Sequence, residues 1–296
     1  MVTIVKKRIK GNAYYYLVHT IRINRKFAQR EQYLGKIIPK DIERIKRRFI
    51  FELDKAKWFD DFEKIRRNYN AELKLTPKSA RKKDLQEFSI RFTYNTQRIE
   101  GSTLTLRETA QLLEHGASPS GKPIADSKEA EAHDKLFYEM YKLKNDLSQK
   151  LVLDWNRKLL KDTEPDIAGE IRRHGVGITG SKFVPPSPVE VQPMLNELFA
   201  WYDRTKTKTN PVELAAQVHL KFVTIHPFAN GNGRISRLMM NHVLHKRGYP
   251  MLNIEYKRRT AYYGSLERSQ LSKDERPFMK WFFRRYRSEQ KRFLGN

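Results

Sequence analysis

Cysteine is absent from the 296 residues, which excludes disulfides, thiolate metal sites and a thiol nucleophile, and fits a reducing compartment. The cytoplasm is therefore the expected location. No window approaches the roughly 18 apolar residues of a membrane-spanning helix. The first residues, MVTIVKKRIKGNAYYYL, lack an apolar region of signal-peptide length, so neither insertion nor secretion is expected. Internal repeats and low-complexity tracts are missing too. Acidic residues are the last shortage: 34 Asp and Glu stand against 59 Lys and Arg, giving a net charge of +25 and a pI near 10.0. That balance points to a nucleic acid, an anionic surface or a phosphorylated ligand, or simply to a solvated positive face.

What the chain has in quantity is apolar and aromatic: 39% hydrophobic residues, with 16 Phe, 14 Tyr and 4 Trp, enough to build a soluble globular core. Residues 1 to about 38 carry β-branched and aromatic runs around Asn24-Arg25, which predicts a small basic β-hairpin or three-stranded meander. Pro39 and a helical pattern from Asp41, a candidate N-cap, mark a switch to α structure. Breaks fall around LKLTPKSARKKD, at Gly101, and at Gly116 after a short helix capped by Thr105. Two amphipathic helices follow, then EIRRHGVGITGSKFVPPSP, which alternates around Gly180-Ser181 and predicts a β-hairpin. The rest reads as helices over 189–204, 211–225, 233–248, 258–270 and 275–293. The expected organisation is mainly α: a basic N-terminal region over 1–60, a helical region over 61–124, and a core over 125–290.

The stretch HPFANGNGRISR, from His226 to Arg237, concentrates the chemistry. Pro227 breaks the chain between two helices, and Gly231-Asn232-Gly233 opens the second. A loop with little side-chain bulk at a helix N-terminus exposes free N–H groups and the positive end of the dipole, an anion site. Arg234 and Arg237, three apart on one face, are placed to grip neighbouring phosphates. A neutral His226 beside that cradle is placed to take a proton from an attacking hydroxyl while the N–H groups hold the phosphoryl oxygens. Asn232 is expected to orient the loop and Phe228 to anchor it.

These residues resemble the signature of the Fic (Fido) proteins, His-x-Phe-x-Asp/Glu-Gly-Asn-Gly/Lys-Arg-x-x-Arg, at every fixed position but one. Asn230 stands where the family usually has the acidic ligand of Mg²⁺, and an amide lacks the carboxylate's charge. The resemblance covers roughly residues 90 to 285. It implies a Fic-type helical core that transfers AMP from ATP, with Mg²⁺ or Mn²⁺ on Asn230, to a Ser, Thr or Tyr hydroxyl of a protein. By similarity GVGITGSKFVPPSP is the flap on which the target docks by strand addition (about 176–184), with Thr179, Gly180 and Ser181 near the nucleotide. AYYGSLERSQ would line the nucleoside pocket with Tyr262 and Tyr263, and has Gln270 where relatives often show Asn. TQRIEG, Thr96 to Gly101, is similar to the family's inhibitory helix (about 86–101), which implies that Glu100 occupies Arg237 and keeps ATP unproductive.

Further readings stay open: transfer of another nucleotide, removal of AMP from modified proteins, self-modification, a homodimer, or a nucleic-acid-binding regulator that uses the basic N-terminal region.

Overall fold

The computed structural model describes residues 2–23 and 26–295 and separates into two compact units, 1–60 and 61–296. In the first, β1 (Thr3–Ile9), β2 (Asn12–Ile23) and β3 (Lys26–Gly35) form an antiparallel sheet in the order β1-β2-β3, the three-stranded meander expected from the aromatic runs. Lys10 (φ 50) and Gly11 (φ 78) make the tight β1–β2 turn with the positive φ that matches strand twist. The turn expected at Asn24-Arg25 lies outside the described residues. Tyr16 sits opposite both Val5 and Tyr33, and Tyr14, Tyr16 and Tyr33 pack on one face with centroids 6.2 and 5.3 Å apart. Helix α1 (Ile42–Leu75) begins one residue after Asp41, whose carboxylate holds Arg44 at 2.6 Å.

The second unit is helical: α2 (Lys78–Ile99), α3 (Leu106–His115), α4 (Ile124–Lys142), α5 (Gln149–Leu160), α6 (Pro188–Thr205), α7 (Pro211–Ile225), α8 (Asn232–Lys246), α9 (Arg259–Ser272) and α10 (Arg276–Glu289). The break before α2 is shorter than expected. Only Thr76 and Pro77 separate α1 from α2, because Pro77 ends one helix by its missing N–H and starts the next with its fixed φ. The TQRIEG segment therefore closes a 22-residue helix, with Glu100 at its C-cap. In α3 the capping box is complete: Glu108 N–H donates to Thr105 Oγ1 at 3.2 Å, Thr105 N–H donates to Glu108 Oε2 at 2.7 Å, and Gly116 closes the helix in the left-handed region.

The centre of this unit is the pair α7 and α8. Leu214, Ala215, Ala216, Val218 and Phe222 on α7 and Ile235, Leu238, Met240, Val243 and Leu244 on α8 are all buried. Each large one contributes about 1.5–3 kcal/mol of burial. Packing on this scale fixes the end of α7 against the start of α8, and with it the loop between them.

One expectation fails. Residues 170–187 form no strand pair; the ordered feature is a turn in which Ser181 N–H donates to Ile178 O at 3.0 Å, with Gly180 at φ 77. The ladder is missing because its groups are taken. Pro185, Pro186 and Pro188 have no N–H to give, Glu267 accepts from Lys182 N–H at 2.5 Å, and the carbonyls of His174 and Pro186 accept from Arg172 at 3.1 and 2.6 Å. The segment is an irregular strap, not a hairpin.

Candidate functional site

Helix α7 ends at Ile225, and His226 turns the chain in the left-handed conformation (φ 51, ψ 59) that few non-glycine residues adopt. Phe228, fully buried against Phe222 with centroids 5.9 Å apart, anchors the loop. Asn232 stitches it: its Oδ1 accepts from Phe228 N–H at 2.9 Å and its Nδ2 donates to Phe228 O at 2.8 Å. From α5, buried Asn156 donates to Asn230 O at 3.0 Å and accepts from Gly169 N–H at 2.8 Å. Gly231 caps α8 at φ 86, where a Cβ would lie 2.9 Å from Asn156 Nδ2. Only glycine fits there.

The first α8 bond is Ile235 N–H to Gly231 O at 3.0 Å, so the N–H groups of Asn232, Gly233 and Arg234 stand at the positive helix end. That position is covered. A Cβ added to Gly233 would collide with the Glu100 carboxylate and come within 3.0 Å of Arg237 Nη1. Glu100 Oε1 accepts from Arg237 Nη2 at 2.5 Å, and Thr96 accepts from Arg237 Nε through Oγ1 at 2.6 Å. Burial would raise the Glu100 pKa, but the Arg237 and Arg234 guanidiniums outweigh it and hold the carboxyl below its ordinary value. Thr96, Glu100, Gly233 and Arg237 therefore meet at one point.

Arg234 goes elsewhere. Its buried guanidinium is ion-paired with Glu129 of α4, donates to Gln97 Oε1 at 3.1 Å and donates to Asn230 Oδ1 at 3.0 Å. Helix α2 thus engages both arginines of the motif, Arg237 through Thr96 and Glu100 and Arg234 through Gln97. Asn230 is equally committed: its Oδ1 also accepts from Gly231 N–H at 2.6 Å and its Nδ2 donates to Glu164 Oε1 at 2.8 Å. An amide oxygen that already accepts two hydrogen bonds has no lone pair left for a cation. Among the described residues no group of three His, Asp or Glu is placed to hold a metal ion either. The donor set does not fit a Mg²⁺ or Mn²⁺ held through Asn230, and the expected ligand role is corrected on that ground.

Burial lowers the His226 pKa, Val223 O beside the ring raises it, Arg172 lowers it and Glu100 raises it; the net direction is down, so the imidazole is neutral at pH 7. Tyr262 differs from its expected place. It is 1% exposed, with its hydroxyl 2.8 Å from His219 Nε2 and 3.4 Å from Arg237 Nη1. It backs the arginine and does not line an open pocket. Tyr263 is the half-exposed neighbour and donates to Ile99 O at 2.8 Å. Gln270 lies deeper, donating to Thr224 Oγ1 at 3.4 Å. On the strap, Ser181 Oγ donates to Glu267 Oε1 at 3.1 Å, while Thr179 and Gly180 are exposed at the turn.

Contributors that escaped the sequence reading include Gln97, Glu129, Asn156 and Arg172. Asn156 left one signal, a polar residue among Val152, Trp155, Leu159 and Leu160 on the buried face of α5.

A helix N-terminus with free N–H groups, a half-buried neutral histidine beside it and the Glu100 carboxylate over Gly233 make up the candidate site of this helical unit. Residues 146–244 match the model of the Fic/DOC family. "Protein adenylyltransferase fic-1" of Caenorhabditis elegans is 31% identical over 223 residues, covering 73% of this chain and 43% of the relative. The chain spans less than half the length of the curated relatives it matches. Solved structures resemble it as well. "Fic-1 (aa134 - 508)" from C. elegans gives a TM-score of 0.73 at 29% identity, over 86% of this chain and 75% of that one. A Fic-domain signaling protein from Bacteroides thetaiotaomicron gives 0.72 at 26%, over 79% and 96%. The chain belongs to the Fic/DOC family.

Proposed function

We propose that this protein transfers AMP from ATP to a hydroxyl of a target protein, and that the form described here is its inhibited state. The observation that carries the reading is the Glu100 carboxylate lying over Gly233 and bound to Arg237, because a carboxylate sits where the cradle would otherwise hold phosphate oxygens. The names of the relatives, protein adenylyltransferases, support the same chemistry.

With Glu100 displaced, the N–H groups of Asn232, Gly233 and Arg234 receive the phosphates, and Arg237 turns its freed donors to the outgoing ones. A Ser, Thr or Tyr hydroxyl, presented along residues 176–184, gives its proton to neutral His226 and attacks the α-phosphorus. The new oxygen–phosphorus bond forms as the bond to the β-phosphate oxygen breaks, and pyrophosphate leaves. In this reading Thr179, Gly180 and Ser181, at the tip of the strap, lie near the nucleotide, and Tyr263 lies on the nucleoside side. The strap pairs with no strand of its own, and an extended peptide would dock along it. No helix among the described residues is long and apolar enough to cross a membrane, and the absence of cysteine suits the cytoplasm.

The test is incubation of Glu100→Gly with labelled ATP and a cell extract. AMP incorporation should rise above that of the parent and vanish when His226→Ala is added, with mass spectrometry identifying the transferred group. Equal labelling in all three proteins would overturn the proposal.

A further inference from the structure

Arg172 carries a charge where charges are rarely found. It is 4% exposed, burial lowers its pKa, and among the described residues no carboxylate forms an ion pair with it. A buried cation is ordinarily paired, because leaving water is costly for a charge. Arg172 instead spends its donors on backbone. Nε donates to His226 O at 2.7 Å, Nη1 to His174 O at 3.1 Å and Nη2 to Pro186 O at 2.6 Å. Its own N–H donates to Pro227 O at 3.0 Å. One guanidinium thus closes the strap at both ends, His174 and Pro186, and fastens that closure to the carbonyl of the histidine.

The strap needs such a closure. It has no ladder of its own, and its other described tether is at the tip, where Glu267 accepts from Ser181 and Lys182. The His226 carbonyl needs a partner as well. A left-handed non-glycine residue is strained, and the Arg172 fork gives its carbonyl a charge-assisted hydrogen bond in that conformation. The cradle is held by Asn232, Asn156 and Gly231, and none of Arg172's hydrogen bonds goes to these three.

We infer that Arg172 is a positioning residue that sets the register between the target-docking strap and His226, so that acceptor placement depends on it and nucleotide binding does not. The inference rests on the adenylyl-transfer reading for its account of what the strap presents. The planar fork is the reason for arginine. A lysine ammonium is a single point on a flexible stem and cannot span three carbonyls in one plane.

The experiment compares Arg172→Met and Arg172→Lys in the Glu100→Gly background, using a fluorescent ATP analogue, a protein acceptor identified by labelling, trypsin nicking at Lys182, and NMR titration of the His226 ring. The expected result has four parts. Nucleotide Kd stays within about twofold, while kcat/KM for the acceptor falls about 100-fold, the scale of a 1 Å misplacement. Lysine does not rescue. Nicking at Lys182 accelerates. With Glu100 already removed, the charged group acting on the ring is Arg172, so its loss moves the imidazole pKa upward.

Equal losses in nucleotide affinity and in acceptor turnover, with Lys182 nicking unchanged, would reduce Arg172 to a fold determinant and overturn the inference. So would wild-type acceptor kinetics in Arg172→Met. If the Glu100→Gly parent itself transfers no AMP, the adenylyl-transfer reading falls. Lys182 nicking and the ring titration then still decide on Arg172, since neither needs turnover.

Discussion

Glu100 and Arg237 meet at 2.5 Å across 137 positions of sequence, and the contact decides whether the α8 cradle is open. Arg237 is 1% exposed while the Glu100 side chain keeps 26%, so the arginine is fixed and the glutamate is the part that can leave. Glu100→Gln should therefore raise nucleotide affinity at least tenfold in titration calorimetry, since a charge-assisted bond contributes about 1.5–3 kcal/mol. It should also lower the melting temperature without nucleotide, because Arg237 loses its counter-charge, and ATP should restore it. Thr96→Ala should act in the same direction more weakly, by about fivefold, through the lost Oγ1 acceptor.

The clamp should not open with modest acidity. Guanidiniums hold the Glu100 carboxyl below its ordinary 4.5, and a group with a depressed folded pKa contributes stability above its unfolded value and loses it only as pH falls through the folded one. Basal activity of the parent should accordingly show no activation between pH 8 and 5. The active Glu100→Gly form should lose activity only below the ordinary histidine pKa of 6.5, since burial keeps His226 neutral to lower pH and removal of Glu100 lowers its pKa further. A kcat/KM profile in labelled ATP checks both limbs.

Asn230 and Glu164, 2.8 Å apart, give a prediction about the departure inside the motif. Asn230→Asp replaces a donor with a second carboxylate facing Glu164, and two carboxylates sharing a site cannot both ionise freely. Stability at pH 8 should fall by about 1–2 kcal/mol, roughly 3–6 °C. The loss should shrink as pH drops toward 5, where one group takes up a proton. Adding Glu164→Gln should return the melting temperature, because an amide again faces a carboxylate. An unchanged melting temperature in the single variant would show that the pair is not held together in solution.

Much of this was legible in sequence because it is local. Periodicity fixes the helices, Thr105 and Glu108 lie three apart, and the cradle, the histidine and both arginines fall within twelve residues. The strap reads as a strand because Val176, Ile178 and Phe183 alternate, yet the backbone groups of His174, Lys182 and Pro186 are taken by Arg172 and Glu267, which periodicity does not register. Gln97 and Glu129 were invisible for a related reason. Their partner, Arg234, lies 137 and 105 residues away, and a glutamine or glutamate on a helix looks solvated until the facing helix is known. Tyr262 was placed by likeness in an open pocket, whereas burial between His219 and Arg237 is a matter of depth, which spacing along α9 does not encode.

Gly231 separates two explanations of the glycines in the motif, bare flexibility and close approach. Gly231 has φ 86 and an added Cβ would lie 2.9 Å from Asn156 Nδ2 and 3.4 Å from Leu159 Cδ2, whereas Gly101 has φ 106 and nothing within 4 Å. Alanine at either position carries backbone strain of about 1–2 kcal/mol. At Gly231 it must also push Asn156 from Asn230 O and from Gly169 N–H, at about 1 kcal/mol for each bond lost. Urea denaturation should therefore show a larger loss for Gly231→Ala than for Gly101→Ala, by about 2 kcal/mol. In the Glu100→Gly background the fluorescent ATP analogue should bind Gly101→Ala normally and Gly231→Ala at least tenfold more weakly, because only the second displaces the N–H groups that hold phosphate. Equal effects at the two positions would mean that the motif glycine serves chain flexibility alone and that Asn156 does not shape the cradle.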